Sequence, residues 1–284
     1  MADWTTLVTT AELQANLDAA QLAIVDCRFD LRDPQAGRRL FPLGHIAGAC
    51  YASLDDDLSD LSKVGRGRHP LPDVDQFCLA LGRMGITAQH QVVAYDGLDG
   101  SIAARLWWML NLLGHTRVAV LDGGLEGWIR QGGPMATGTP RVRAKIYKAR
   151  YRPGAVITTA VLAARLASGD TLLVDARAAE RFRGEVEPLD PVAGHIPGAR
   201  NRPFTENLAG GMGFKTALQL RLEYDRLLAG KAPADTILMC GSGVTACHNL
   251  LAMTHAGLPG ARVYAGSWSE WCNDRSRPVE RSLG

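Results

Sequence analysis

Three blocks of this sequence recur in the same order roughly 150 residues later, and that duplication constrains the fold more than any other feature. Ala23-Ile24-Val25-Asp26-Cys27-Arg28 is answered by Leu172-Leu173-Val174-Asp175-Ala176-Arg177. Gly44-His45-Ile46-Ala47-Gly48-Ala49 returns as Gly194-His195-Ile196-Pro197-Gly198-Ala199, and Leu121-Asp122-Gly123-Gly124-Leu125-Glu126-Gly127-Trp128 as Tyr264-Ala265-Gly266-Ser267-Trp268-Ser269-Glu270-Trp271. A chain of 284 residues is near the limit for a single hydrophobic core, so a duplicated domain is the economical reading. The expected organisation is a first domain over residues 1–135, a linker over 136–154 and a second domain over 155–284.

Each half mixes short apolar runs, such as Gln91 to Tyr95 and Thr236 to Met239, with helical-period segments such as Ser101 to Leu113 and Val244 to His255. Alternation of this kind predicts α/β domains, each a mainly parallel sheet flanked by helices. Between them, Gly132, Gly133, Pro134, Gly138, Pro140, Pro153 and Gly154 break regular structure. The basic residues of that stretch, Arg141, Arg143, Lys145, Lys148, Arg150 and Arg152, read as a solvated or domain-clasping face.

Hydrophobic residues make up 46% of the chain and charged residues 21%, the balance of a packed protein. A net charge of +2 without long single-sign blocks argues against nucleic acid as a partner. No run approaches the ~18 apolar residues of a membrane span, and Met1 to Thr10 lacks a signal-peptide pattern, so no membrane partner and a cytoplasmic location are expected. The six cysteines form no C-x-x-C pair, which signals neither a disulfide framework nor a metal site. No nucleotide loop appears, and no cofactor is expected.

Cys240 stands apart from the other cysteines. The strand Thr236 to Met239 runs into Cys240-Gly241-Ser242-Gly243-Val244-Thr245-Ala246, where a helix is expected to start. Open parallel sheets hold ligands at the C-terminal ends of their strands, and a glycine-rich turn into a helix aims backbone N–H groups at an anion. That setting favours a nucleophilic thiolate, whereas a cysteine after an ordinary strand is an inert buried hydrophobe. Cys27, Cys50, Cys78 and Cys272 read as packing residues. Cys247 does too, with a redox role left open. The matching stretch of the first half, Tyr95-Asp96-Gly97-Leu98-Asp99-Gly100-Ser101, holds no cysteine.

One cysteine-bearing and one cysteine-free copy, the Asp-x-Arg pairs after strands, Gly-His-Ile-x-Gly-Ala, Asp-Gly-Gly-x-x-x-Trp and Gly-Ser-Trp-x-x-Trp together resemble tandem rhodanese-like sulfurtransferases. The loop Cys-Gly-Ser-Gly-Val-Thr-Ala is similar to that of the 3-mercaptopyruvate branch, since thiosulfate-preferring members carry cations directly after the cysteine. Thiosulfate is a dianion and gains from such cations, whereas an α-keto acid carries one charge and needs a single carboxylate clamp.

The resemblance implies that sulfane sulfur passes from 3-mercaptopyruvate to a persulfide on Cys240, with pyruvate released, and then to an acceptor such as thioredoxin, another dithiol or cyanide. It makes Gly241, Gly243, Val244 and Thr245 the cradle and Arg181 the substrate-binding arginine. A second arginine, expected a few residues on, is absent at Pro188-Leu189-Asp190. Ser242 implies a proton relay with His69 and an aspartate from Asp55, Asp56, Asp57 and Asp60, of which Asp57 is the choice. His45 and His195 recur in both halves and read as structural. Thiosulfate sulfurtransferase activity and a non-catalytic rhodanese-like binding module are the alternatives. A phosphatase on this fold needs a Cys-x5-Arg loop, and the sixth residue after Cys240 is Ala246.

Overall fold

A computed structural model describes residues 3–210 and 213–282 and resolves into two compact units. The first comprises Met1–Asp60, Leu71–Arg152 and Gly210–Phe214, the second Leu61–Pro70, Pro153–Ala209 and Lys215–Gly284.

In the first unit, five parallel strands lie in the order Leu7–Val8, Val118–Leu121, Gln91–Tyr95, Leu22–Asp26 and Ala49–Tyr51. In the second, the order is Val156–Ile157, Arg262–Tyr264, Thr236–Met239, Leu172–Asp175 and Arg200–Asn201, again all parallel. The two sheets share one topology, as the repeat requires. Parallel neighbours need long crossovers, and helices such as Val74–Arg83, Ala103–Leu112, Ala217–Leu228 and Thr245–His255 supply them. Every residue of the middle strands Gln91–Tyr95 and Thr236–Met239 is buried, which is why both read as continuous runs rather than alternating ones. Each unit has its own core, around Val93, Tyr95 and Trp128 in one and Ile237, Met239 and Trp268 in the other.

The repeated motifs are fastenings inside each unit. Asp26 accepts from the backbone N–H of Arg28 at 2.9 Å, and the Arg28 guanidinium reaches the Gly44 carbonyl at 2.8 Å. Asp175, Arg177 and Gly194 repeat the arrangement at 3.0 and 2.7 Å. His45 and His195 turn Nδ1 to the carbonyls of Phe41 and Phe182 at 2.8 and 2.7 Å, each ring stacked on that phenylalanine. Both are structural, and they tie the Gly-His-Ile turn to the preceding helix.

The stretch read as a linker is more ordered than its glycines and prolines suggest. Met135–Ala136 pairs antiparallel with His45–Ile46, Lys145 donates its N–H to Gly82 at 2.9 Å, and Tyr147 and His115 share a 2.8 Å hydrogen bond. Through Arg152 the chain therefore packs on the first unit. No helix among the described residues is long and apolar enough to cross a membrane.

Candidate active site

The chain leaves Leu172–Asp175 toward the edge strand Arg200–Asn201 and returns to Thr236–Met239 on the other side, so Cys240 sits beside the topological switch point of its sheet. It is 2% exposed. Its Sγ accepts the Gly243 N–H at 3.1 Å. Gly243 has φ of +77°, and a Cβ there would run into the Ala265 carbonyl, so only glycine lets the backbone turn its N–H onto the sulfur. Val244 is buried, Thr245 half-buried, and Thr245 opens the helix Thr245–His255. Cys247, one turn in, gives its thiol hydrogen to the Gly243 carbonyl at 3.3 Å and is fully buried.

The Gly-Ser-Trp-x-x-Trp motif clamps the loop from behind. Ser267 adopts a left-handed φ of 54°, a costly conformation for serine. Its hydroxyl offsets that strain by accepting the Cys240 N–H at 3.1 Å and donating to the Tyr264 carbonyl at 2.9 Å. Trp268 and Ser269 donate their N–H groups to the Cys240 and Gly241 carbonyls, each at 2.9 Å.

Leu61–Pro70 belongs to the second unit and carries the groups that face this loop. His69 Nδ1 lies 2.8 Å from Ser242 Oγ, and both residues are 7% exposed. Two of the expected relay members are thus together. Asp57 has both carboxylate oxygens engaged within the first unit, by the Ser53 N–H and by Arg83, each at 2.9 Å.

Arg181 is ion-paired to Glu187 at 2.6 Å and to Asp190 at 3.3 Å. Another arginine, Arg68, lies close by and is ion-paired to Asp190. A Cβ on Gly241 would lie 2.8 Å from Arg68 Nη2 and 3.5 Å from Arg181 Nη1, so both guanidiniums reach the Cys240 loop. Arg68 Nε is buried without a hydrogen-bond acceptor. Sequence reading missed Arg68 because it sought the second arginine near the first. The available signal was its place directly before the candidate histidine.

Burial pushes the thiols of Cys50 and Cys272 up to about 12 and about 11, and raises those of Cys27 and Cys78 as well. In the first unit the loop matching Cys240 is filled from within. Asp96 accepts the N–H groups of Leu98 and Gly100 on one oxygen and of Ile102 and Ala103 on the other, at 2.9–3.2 Å. Its carboxylate occupies the cradle that the second unit offers to sulfur.

The model of the rhodanese-like domain matches residues 9–131 and again residues 158–274. The chain belongs to the rhodanese-like family. Among rhodanese-like relatives, a Pseudomonas aeruginosa protein named "Probable 3-mercaptopyruvate sulfurtransferase" is 46% identical over 275 residues, spanning 96% of this chain and 97% of that protein. The human 3-mercaptopyruvate sulfurtransferase is 36% identical, over 94% and 90%. Mycobacterium tuberculosis SseB, named for thiosulfate sulfurtransferase activity, is 39% identical, over 97% and 96%. Among solved rhodanese-like structures, 3-mercaptopyruvate sulfurtransferase from Leishmania major superposes with a TM-score of 0.84 at 29% identity, over 95% of this chain and 74% of that one.

Proposed function

We propose that this chain is a sulfurtransferase that takes sulfur from 3-mercaptopyruvate through a persulfide on Cys240. The observation that carries the reading is the Cys240 loop with Ser242 and His69 2.8 Å apart beside the nucleophile. The Cys240 thiolate attacks the donor sulfur, a new S–S bond forms, and the C–S bond breaks with its electron pair passing to the pyruvate enolate. A proton then converts the enolate to pyruvate, and Ser242 with His69 stands where a relay can deliver it. With both carboxylate oxygens held by Ser53 and Arg83, Asp57 is left out of the proposed relay. Arg181 and Arg68 hold the donor carboxylate, and the orphaned Arg68 Nε supplies one donor group for it. Gly241, Gly243, Val244 and Thr245 form the backbone cradle of the persulfide.

A second thiolate, from thioredoxin, another dithiol or cyanide in its place, attacks the outer sulfur and regenerates Cys240. A reducing, cytoplasmic setting suits that exchange. Thiosulfate as donor is the second reading, favoured by the two cations at the loop and by the name of the mycobacterial relative.

Incubation with 3-mercaptopyruvate should add one cyanide-labile sulfur atom to the intact protein, and Cys240→Ala should abolish that gain while keeping the fold. Turnover by folded Cys240→Ala would sink the assignment. His69→Ala should lower mercaptopyruvate turnover about 10²–10⁴-fold, the usual worth of a positioned acid/base, and thiosulfate turnover much less, since sulfite leaves without an enolate. Equal losses with both donors would make His69 a structural residue.

A further inference from the structure

We propose that Asp190 sets donor selectivity by neutralising the cationic clamp at the Cys240 loop; this rests on the proposed use of 3-mercaptopyruvate. The side chain of Asp190 is 3% exposed, and it pairs with both Arg68 and Arg181. Its backbone N–H is fixed on Glu187 Oε1 at 3.2 Å, so the carboxylate is placed by the turn as well as by its partners. Glu187 in turn pairs with Arg181 and with Arg177, and Arg177 with Asp175. In this ion-paired cluster the three cations Arg68, Arg177 and Arg181 meet the three anions Asp175, Glu187 and Asp190, and the formal charge cancels. The two guanidiniums nearest the loop therefore offer directed hydrogen bonds with little surplus positive charge. A carboxylate monoanion is satisfied by that geometry, whereas the second charge of thiosulfate finds nothing to balance it in a poorly solvated site. The selectivity assigned to missing cations within the loop is here a property of a carboxylate 50 residues away in sequence.

The test is the ratio of kcat/KM for thiosulfate to that for 3-mercaptopyruvate, measured on the full-length protein. Asp190→Asn keeps the shape, frees one unit of positive charge and should raise the ratio about tenfold, the effect of one nearby charge. Its KM for thiosulfate should also become more sensitive to ionic strength. Arg68→Gln removes a cation without touching Asp190, and should lower the ratio by a similar factor. The double variant, neutral again, should return toward the wild-type ratio although both KM values rise. A positioning role alone would depress both donors together, so an unchanged ratio in the single variants overturns the proposal, as does a double variant that keeps the Asp190→Asn ratio. A wild type that turns over thiosulfate but not 3-mercaptopyruvate overturns this proposal and the functional reading together. A wild type that uses 3-mercaptopyruvate with unchanged variant ratios overturns this proposal alone.

Discussion

Asp96 and Cys240 hold equivalent positions in the two units, and one side chain separates a loop closed on a carboxylate from one closed on a thiol. Cys240 presents a sulfur that accepts one loop N–H, whereas Asp96 presents a carboxylate that accepts four. Burial pushes Asp96 up to about 6, with Asp99 adding to the rise, against the N–H groups of Ala103, Gly100 and Ile102, which pull it down. The folded-state value lies above the ordinary 3.8, so the native state takes up this proton first as pH falls. The contribution of Asp96 to stability therefore grows on acidification from about 6 to about 4 and is lost as pH rises through about 6. Across that window the stability gap between wild type and Asp96→Asn should move in favour of wild type, at lower pH, by on the order of 2–3 kcal/mol. Chemical denaturation of both proteins at several pH values measures it, and a gap independent of pH would contradict the assignment.

The loop from Cys240 to Ala246 works as an element because the backbone groups of Cys240, Gly241 and Gly243 have fixed partners. The turn at Gly266 to Ser269 holds it from one side, Gly243 turns its N–H inward, and Arg68 and Arg181 stand over Gly241. From sequence, a cation placed at 241 would be expected to turn the enzyme toward thiosulfate. The structure puts a competing effect beside that expectation, since a Cβ at 241 would lie 2.8 Å from Arg68 Nη2 and the guanidinium would have to shift. Gly241→Arg brings like charges together and displaces the existing clamp, so kcat/KM should fall by at least about tenfold for both donors. A gain in thiosulfate use by Gly241→Arg would show that the loop has room for the charge.

At the scale of the whole molecule, the chain contributes to the second unit before it has finished the first. Leu61–Pro70 leaves the first unit to bring Arg68 and His69 to the second, and the chain then returns to complete the first sheet. A fragment of residues 153–284 retains Cys240, Ser242 and Arg181 but has neither Arg68 nor His69. Its rate of persulfide formation from 3-mercaptopyruvate should be at least about 10²-fold below that of the full chain, the lower bound for loss of a positioned acid/base. Co-expression with residues 1–152 should restore it. A fragment as fast as the full chain would remove Leu61–Pro70 from the mechanism.

The duplication, the α/β class and the glycine-rich loop at Cys240 were legible in the sequence because each rests on local chemistry. An apolar run ending at Cys-Gly-Ser-Gly before a helix builds its own turn, and the repeated Asp-x-Arg and Gly-His-Ile blocks bond within their own unit. Ser242 was legible for the same reason, and His69 through its family motif. What sequence could not place were groups whose partners are distant. Arg68 and Asp190 stand 122 residues apart and become a pair only when Leu61–Pro70 folds onto the second unit. The connector through Arg152 looked like a linker because glycine, proline and arginine mark exposed backbone, yet its N–H groups and Tyr147 find acceptors on the first unit. Local propensity determined the elements and the reactive turn. Long-range ion pairing, which only the folded chain can form, decided where the cations stand.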